Sequence, residues 1–68
     1  MWVYPGHRLS LQRHTKRREH WFIIDGEAIV TKDDEDINLR GGQAIDIPAG
    51  TWHRVKNFGV RDLVLIEI

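Results

Sequence analysis

The chain contains no cysteine, only two prolines, and no long apolar run in its 68 residues. Without thiols it can form neither a disulfide nor a metal site built on thiolates. A domain of this length buries only about 60% of the surface of its unfolded chain, so it would be marginally stable as a monomer. A metal ion held by histidine, carboxylate and amide groups, or association with a second copy, can supply the missing stability, and we expect both.

An excess of either charge is also lacking, because ten lysines and arginines balance ten aspartates and glutamates. A chain without net positive charge does not have the composition of a protein that binds nucleic acid or an anionic membrane surface. We therefore expect neither of these partners. There is no signal-peptide pattern and no apolar run long enough to span a bilayer, which predicts a cytoplasmic protein.

What the sequence does contain is alternation with a period of two, which is typical of strands, and helical periodicity is absent. The predicted strands are Leu9–His14, Glu19–Ile24, Ala28–Thr31, Ile37–Leu39, Gln43–Ile47, Trp52–Asn57 and Leu63–Ile68, and Lys32–Asp36 is predicted to be a solvated loop. Turn signals such as Asp25-Gly26 and Gly41-Gly42 separate these segments. Seven short strands with regular turns predict one all-β domain over residues 1–68, folded as a small sandwich or barrel.

Four side chains of types that bind divalent metals stand at positions that strands can bring together. Gln12 and His14 are two residues apart, so they project from the same face of their strand. Glu19 follows a tight turn on a strand expected to pair with the first, and His53 follows the Pro48–Gly50 turn. Two nitrogens and two oxygens suit Zn, Fe(II), Mn, Co or Ni, and an open coordination position would make the site catalytic. A single histidine in a strand is more often a surface or core residue, so the site depends on the wider spacing.

That wider spacing resembles the two motifs of the cupin superfamily. The strings that carry the resemblance are LSLQRHTKRREHW (residues 9–21), IPAGTWHRVKN (residues 47–57) and the closing LIEI (residues 65–68). Gln12 stands where the general cupin pattern has histidine, which agrees with a narrower branch, the C-terminal cupin domain of type II mannose-6-phosphate isomerase. The resemblance implies a small double-stranded β-helix barrel, jelly-roll-like, with a metal inside.

The branch further implies an aldose–ketose isomerase that acts on a phosphorylated sugar. Its metal would be one divalent ion, zinc in the first place, with Mn, Fe, Co or Ni as alternatives, and its ligands would be Gln12, His14, Glu19 and His53. The ion would polarise a carbonyl while a proton moves between adjacent carbons through an enediol. Arg17 and Arg54 are the candidates for binding the substrate phosphate, although each is otherwise explained as a solvated charge. No general base is identified, because His20 should point away by strand parity and no spare carboxylate clearly faces inward.

Two other functions stay open at this point. One is a non-catalytic, metal-stabilised cupin that binds a sugar or regulates a partner, and the other is a small metal-dependent dioxygenase, since two histidines and a carboxylate also resemble the facial triad of non-haem iron enzymes. The family's nucleotidyltransferase domain is missing, so guanylyl transfer is not implied. The chain also stops at Ile68, before an acidic and aromatic tail typical of the family. If that tail shapes the sugar pocket, we expect metal binding to survive its loss better than catalysis.

The early strands carry apolar residues on both faces. Leu9, Leu11, Phe22 and Ile24 are predicted on one face, and Trp21 and Ile23 on the other, together with Glu19. Only one face can look into the barrel, so the first set is expected outside, where apolar patches mark interfaces. We expect a second copy to cover this face and to hide exposed sheet edges, which predicts a homodimer.

Overall fold

The computed structural model describes residues 1–68 as seven antiparallel strands in two sheets. The strands are β1 (Trp2–Val3), β2 (Glu19–Asp25), β3 (Glu27–Lys32), β4 (Glu35–Arg40), β5 (Ala44–Ile47), β6 (His53–Lys56) and β7 (Leu63–Glu67). One sheet has the order β1-β7-β2-β5 and the other the order β4-β3-β6. The predicted all-β fold is confirmed. No helix has the length and apolarity needed to cross a membrane, and the cytoplasmic location stays a prediction.

Alternation along each strand builds the core between the two sheets. In β2, Trp21 and Ile23 are buried while Phe22 and Ile24 are exposed, as the period of two predicts. The buried apolar side chains form one cluster, which consists of Val3, Trp21, Ile23, Ala28, Val30, Leu39, Ile47, Val55, Leu63 and Leu65. Ten residues are a small core, so the loss of any one contact removes a large share of the stability.

The predicted strand Leu9–His14 is wrong as a regular strand. Residues 8–12 run beside β6, but only two isolated bridges join them to it, Arg8 to Lys56 and Gln12 to His53. The bridged residues are four apart on this segment and three apart on β6, so the segment contains one extra residue. An extra residue on one strand of an antiparallel pair is a β-bulge, which bends the chain and turns side chains to new directions. We call residues 8–14 the bulged segment.

The sheet topology also overturns the predicted outer face. Leu9 and Leu11 belong to the segment beside β6, whereas Phe22 and Ile24 lie on β2 in the other sheet. The four side chains therefore do not form one surface. Strict parity fails within the segment as well, because the adjacent residues Leu9 and Ser10 both line the same cavity.

Two smaller differences concern strand limits. The predicted loop Lys32–Asp36 is shorter, because β3 continues to Lys32 and β4 begins at Glu35. Asp33 completes the turn with a φ of 53°, and its carboxylate accepts a hydrogen bond of 3.1 Å from the Trp52 N–H. Strand β1 was not predicted, since two residues are too few to show a period.

Gly26, between β2 and β3, lies where two stretches of backbone nearly touch. Its φ is +95°, and a Cβ at this position would lie 2.7 Å from the Asp62 carbonyl oxygen and 2.9 Å from the Leu63 Cα. Gly42 has a similar φ of +92°, but a Cβ there would meet nothing within 4 Å. The two glycines share a left-handed backbone and differ only in the space around them.

Gly26→Ala should therefore destabilise the fold more than Gly42→Ala. Both substitutions place a side chain in the left-handed region, at a cost of about 1–2 kcal/mol. Gly26→Ala adds a clash with backbone that cannot rotate away, worth a further ~1–3 kcal/mol. Urea denaturation at one fixed protein concentration measures both. Equal losses in the two variants would show that the approach of residues 62 and 63 to Gly26 is not a constraint.

Candidate metal centre

Three parts of the fold bring polar side chains to one cavity. Glu19 is the first inward position of β2 and continues the row of Trp21 and Ile23. His53 is the first residue of β6, in alternation with the buried Val55. The same period of two that buries the core also turns Glu19 and His53 inward. Their polar atoms then need hydrogen bonds, an opposite charge or a metal ion to compensate for the lost water.

The third part is the bulged segment, which supplies Gln12 and His14. Gln12 and His53 form a directly hydrogen-bonded pair, with the Gln12 N–H donating to the His53 carbonyl at 2.9 Å and the His53 N–H donating back at 2.8 Å. Opposite residues in such a pair carry their side chains on the same face. The structure thus brings all four predicted ligands, including Glu19, to the wall of a single cavity of about 260 Å³.

The two imidazoles and the carboxylate form the centre of this group. One ligand atom of each residue lies within 4.8 Å of the others. The Glu19 Oε2 atom lies 3.1 Å from Nε2 of His53 and 3.6 Å from Nε2 of His14. His53 Nδ1 is 3.0 Å from the carbonyl oxygen of Thr51. Since a carbonyl only accepts, Nδ1 carries the hydrogen in the neutral ring, and Nε2 is left with a lone pair for a metal.

The Glu19 carboxylate provides a test of whether a metal fits here. Its Oε2 is buried and has no hydrogen-bond partner, which is costly for a carboxylate oxygen. In the neutral ring the His53 Nε2 is also an acceptor, and two acceptors 3.1 Å apart repel unless a proton or a cation lies between them. One divalent ion would satisfy both atoms together with His14. The donor set of two nitrogens and carboxylate and amide oxygens suits a borderline divalent metal.

The two arginines predicted to bind phosphate stand differently at the cavity, because Arg54 alternates along β6 with the inward His53 and Val55 and has Thr31 as its register partner. Arg17 and Arg54 line the cavity together with the metal-type ligands. The Arg17 Nη2 atom lies 3.2 Å from His14 Nε2. Because a guanidinium only donates, this nitrogen of His14 is an acceptor, which is the state a metal ligand requires. Two fixed cations beside one carboxylate-containing centre also favour an anionic ligand.

Glu67 is the residue of the cavity that sequence reasoning missed. It continues the inward row of Leu63 and Leu65 on β7, and its partner in the register is Trp21, whose ring packs 5.4 Å from that of His53. Glu67 therefore lines the cavity beside the three clustered ligands without being one of them. The signal was present in the alternation of LVLIE (residues 63–67), since the same parity that buries the leucines turns the glutamate inward.

The position of Glu67 changes its acidity. The pKa of its carboxyl is raised, first because the cavity partly desolvates the charged form, and second because the neighbouring Glu19 favours the protonated form. A cation at the Glu19 centre would offset the second cause.

The remaining orientations in β2 agree with strand parity. His20 points away from the cavity, and its Nδ1 lies 2.6 Å from Asp46 Oδ1 on the outside of the sheet. The hydrogen bond with His20 lowers the pKa of the Asp46 carboxyl. Trp21 shares the inward face with Glu19, and its indole N–H makes a long hydrogen bond of 3.5 Å to Glu19 Oε1. This bond orients the carboxylate so that Oε2 faces the histidines.

Comparison with known proteins identifies the family of the chain and its fold. The family model described as "Mannose-6-phosphate isomerase C-terminal" matches residues 1–68. The xanthan biosynthesis protein XanB of Xanthomonas campestris pv. campestris (strain B100) is 48% identical over 66 residues, which are 97% of this chain and 14% of XanB. The alginate biosynthesis protein AlgA of Pseudomonas aeruginosa is 46% identical, with the same coverage of 97% and 14%. The cupin domain of Cnp3 from Schizosaccharomyces pombe, at 15% identity, has a TM-score of 0.90 and covers 97% of this chain and 47% of that one. It shows the cupin fold, and the chain spans only a small part of its curated relatives.

The raised pKa of Glu67 predicts a pH-dependent gain in stability for Glu67→Gln in metal-free, chelated protein. A raised carboxyl pKa means that the folded state binds the proton more tightly, so stability is lost as the pH rises from the ordinary value of 4.5 through the folded value. Glu67→Gln removes this loss. The melting temperature of the variant should exceed that of the parent by a few degrees at neutral pH, and the difference should vanish in acid below pH 4.5.

The control for this experiment is Glu35→Gln, because Glu35 lies exposed on β4. That variant should leave the melting temperature unchanged at both pH values. Protein concentration is held constant throughout. A lower melting temperature of Glu67→Gln at neutral pH and in acid alike would contradict the raised pKa of the Glu67 carboxyl.

Proposed function

The chain belongs to the mannose-6-phosphate isomerase C-terminal family, and we propose that it is a metal-dependent domain that interconverts an aldose phosphate and a ketose phosphate. The observation that supports this proposal is the content of one cavity. It combines a metal-type ligand group, two arginines and a carboxylate outside that group. Ligand cavities run from about 300 Å³ upward, and at about 260 Å³ this one suits a small substrate.

In this proposal Gln12, His14, Glu19 and His53 hold one divalent ion, zinc in the first place, with Mn, Fe, Co or Ni as alternatives. Gln12 is neutral, so Glu19 is the one charged ligand and the centre keeps most of its positive charge. The ion supplies Lewis-acid polarisation of the substrate carbonyl. Trp21 holds Glu19 in place, and the Thr51 carbonyl holds the tautomer of His53.

Arg17 and Arg54 bind the phosphate of the sugar in this proposal. A guanidinium offers a planar pair of donors that matches phosphate oxygens, and its charge persists at any physiological pH. Arg17 donates a hydrogen bond to His14 Nε2, 3.2 Å away, and this bond would break if Nε2 served as a metal ligand and the guanidinium bound phosphate instead. The phosphate and the metal would each replace one partner of the Arg17–His14 hydrogen bond. Binding of either one would therefore free the other's ligand and favour its binding.

Glu67 carries the proton in this proposal, because it is the one carboxylate of the cavity outside the ligand group. Its carboxylate takes the proton from the carbon beside the carbonyl. The electron pair of that C–H bond becomes the carbon–carbon double bond of the enediol, and the π pair of the carbonyl moves onto its oxygen. The carboxyl group then returns the proton to the former carbonyl carbon, while the proton of the neighbouring hydroxyl passes to the former carbonyl oxygen, so that the new carbonyl forms on the neighbouring carbon. The atoms and electrons balance without any oxidant or reductant, as an isomerisation requires. Leu63 and Leu65, on the same face of β7, keep the strand fixed while Glu67 acts.

Metal affinity is predicted to depend on pH. His14 and His53 must be neutral to bind the ion, so protons compete with it. The affinity for zinc should fall as the pH drops into the acid range, because protons and the ion compete for the same imidazole nitrogens. Competition with a chromophoric chelator measures this.

The matched control is His20→Asn, because His20 lies outside the cavity and pairs with Asp46. This variant should show the parent's affinity and pH dependence, whereas His53→Asn should lose most of the affinity. An affinity that stays flat between about pH 8 and pH 5 would show that histidines are not ligands.

The test of the proposed reaction is a coupled assay on mannose-6-phosphate with metal restored after chelation. Glu67→Gln should lower kcat by about 10²–10⁴-fold, the usual contribution of a general acid–base group, with little change in KM. Arg54→Met should instead raise KM by about tenfold or more, because it removes a charge-assisted hydrogen bond to the phosphate.

Two further variants make the assay specific. Glu35→Gln and Lys56→Met change exposed charges outside the cavity and should leave both kinetic constants unchanged. If the metal binds to the parent chain with the predicted pH dependence but no phosphorylated sugar is turned over, the metal centre stands and the isomerase proposal fails. If Glu67→Gln keeps the full kcat, another group moves the proton.

A further inference from the structure

A second hollow lies beside the cavity of the candidate metal ligands and shares a wall with it. Its volume is about 330 Å³, and its lining consists of five consecutive residues, Arg13, His14, Thr15, Lys16 and Arg17. We call this space the outer hollow. Three of its residues carry a positive charge, and none is acidic or apolar. Because His14 and Arg17 line both spaces, a ligand that leaves the outer hollow past these two residues enters the cavity.

The three positive charges of the outer hollow are not neutralised by any carboxylate. None of the ion pairs in the structure, in which a nitrogen and an oxygen lie within 4.0 Å, includes Arg13, Lys16 or Arg17. The largest run of acidic residues, 33–36, lies instead at the turn between β3 and β4. The formal net charge of zero therefore hides a separation of charge, which leaves the outer hollow positive.

Neutral groups hold two of these cations in place. The Arg13 Cζ atom lies 5.6 Å from the centroid of the Trp52 ring, and the Arg17 Nη2 atom lies 3.2 Å from His14 Nε2. The His14 carbonyl accepts a hydrogen bond of 2.7 Å from the Gly50 N–H, which fixes the backbone between the two arginines. An aromatic face and a neutral imidazole position a guanidinium without cancelling its charge. Cations that are already positioned lose less freedom when they bind a ligand.

The chemistry of the outer hollow suits a phosphate group. Guanidinium and ammonium groups only donate hydrogen bonds, the Thr15 hydroxyl can also donate, and the oxygens of a phosphate monoester accept. The cavity behind Arg17 is different, because Glu19 and Glu67 line it and repel an anion until a cation is bound there. An approaching phosphate therefore meets an attractive surface in the outer hollow before it meets the carboxylates.

We propose that the outer hollow is an encounter site for the phosphate group of a small phosphate monoester, from which the phosphate passes to Arg17 and the ligand enters the cavity. This inference rests on the proposed function, because that function supplies the phosphorylated sugar as the ligand. Arg13 and Lys16 raise the concentration of the anion at the entrance, and steering of this kind increases association by about 10- to 10³-fold. Arg17 contacts both spaces and so can hold the phosphate during the transfer.

Kinetics at varied ionic strength test the encounter site with two matched double variants. Arg13→Gln/Lys16→Gln removes two charges of the outer hollow, and Arg40→Gln/Lys56→Gln removes two exposed charges that line neither space. The first should lower kcat/KM for mannose-6-phosphate by about tenfold at low salt, through KM and with kcat unchanged, and the second should not. Between about 0.01 M and 1 M salt the Debye length falls from about 30 Å to about 3 Å. The parent and both variants should therefore converge at high salt.

Inorganic phosphate is a probe that needs no turnover. In NMR spectra of the chelated chain, phosphate should shift the backbone amide signals of residues 13–17, and chloride at the same ionic strength should not. The shifts should persist in Arg40→Gln/Lys56→Gln and disappear in Arg13→Gln/Lys16→Gln. If the latter variant does not fold, the parent decides the question, because phosphate that leaves residues 13–17 unshifted overturns the encounter site.

The two experiments separate this inference from the proposed reaction. Phosphate binding at residues 13–17 without turnover of any phosphorylated sugar contradicts the isomerase proposal and leaves the outer hollow as a phosphate site. Turnover in which Arg13→Gln/Lys16→Gln keeps the kcat/KM and the salt dependence of the parent overturns the encounter site alone. An equal loss in both double variants also overturns it, because net charge rather than the outer hollow would then attract the substrate.

Discussion

The backbone pair between Gln12 and His53 is the contact on which the candidate site depends. Its two hydrogen bonds, 2.9 and 2.8 Å long, hold the bulged segment against β6 at the point where that segment would otherwise have no ladder. Both members of this pair, Gln12 and His53, are candidate ligands, and His14 follows Gln12 by two positions. The extra residue between the bridges lets the chain bend around the cavity rather than continue straight along the sheet.

The charge distribution in the cavity follows from the position of the Glu19 carboxylate beside the acceptor nitrogens of His14 and His53. The buried Oε2 of Glu19 has no donor, Arg17 is drawn to His14, and the pKa of Glu67 is raised beside Glu19. All three observations are expected where hydrogen-bond acceptors and carboxylates lie close together without a cation between them. Metal binding would therefore relieve strain that the apo fold carries, and its free energy would add to folding stability.

The small size of the chain connects the cavity to the exposed apolar side chains on the outside of β2 and β7. A core of ten residues gives the fold only a small margin of stability. Two inward positions of β2 and β7 are occupied by Glu19 and Glu67 instead of apolar residues. The same two strands carry Phe22 and Ile66 on their other side. The central strands of this sheet are thus polar at one end of the inner face and apolar on the outer face.

Local periodicity in the sequence determined the strands, the side of β2 that faces inward, and the outward direction of His20, because the side-chain period of two is a property of each strand alone. The same alternation, with the motif spacing, was enough to nominate Gln12, His14, Glu19 and His53. The tertiary structure alone decided the bulge, since an extra residue exists only relative to a partner strand. It also separated Leu9 and Leu11 from Phe22 and Ile24, which a count along one strand cannot do when the strands belong to different sheets. Glu67 became part of the cavity for the same reason: its parity was readable, but its neighbour Trp21 is set by the register between β2 and β7, forty-six positions apart in the chain.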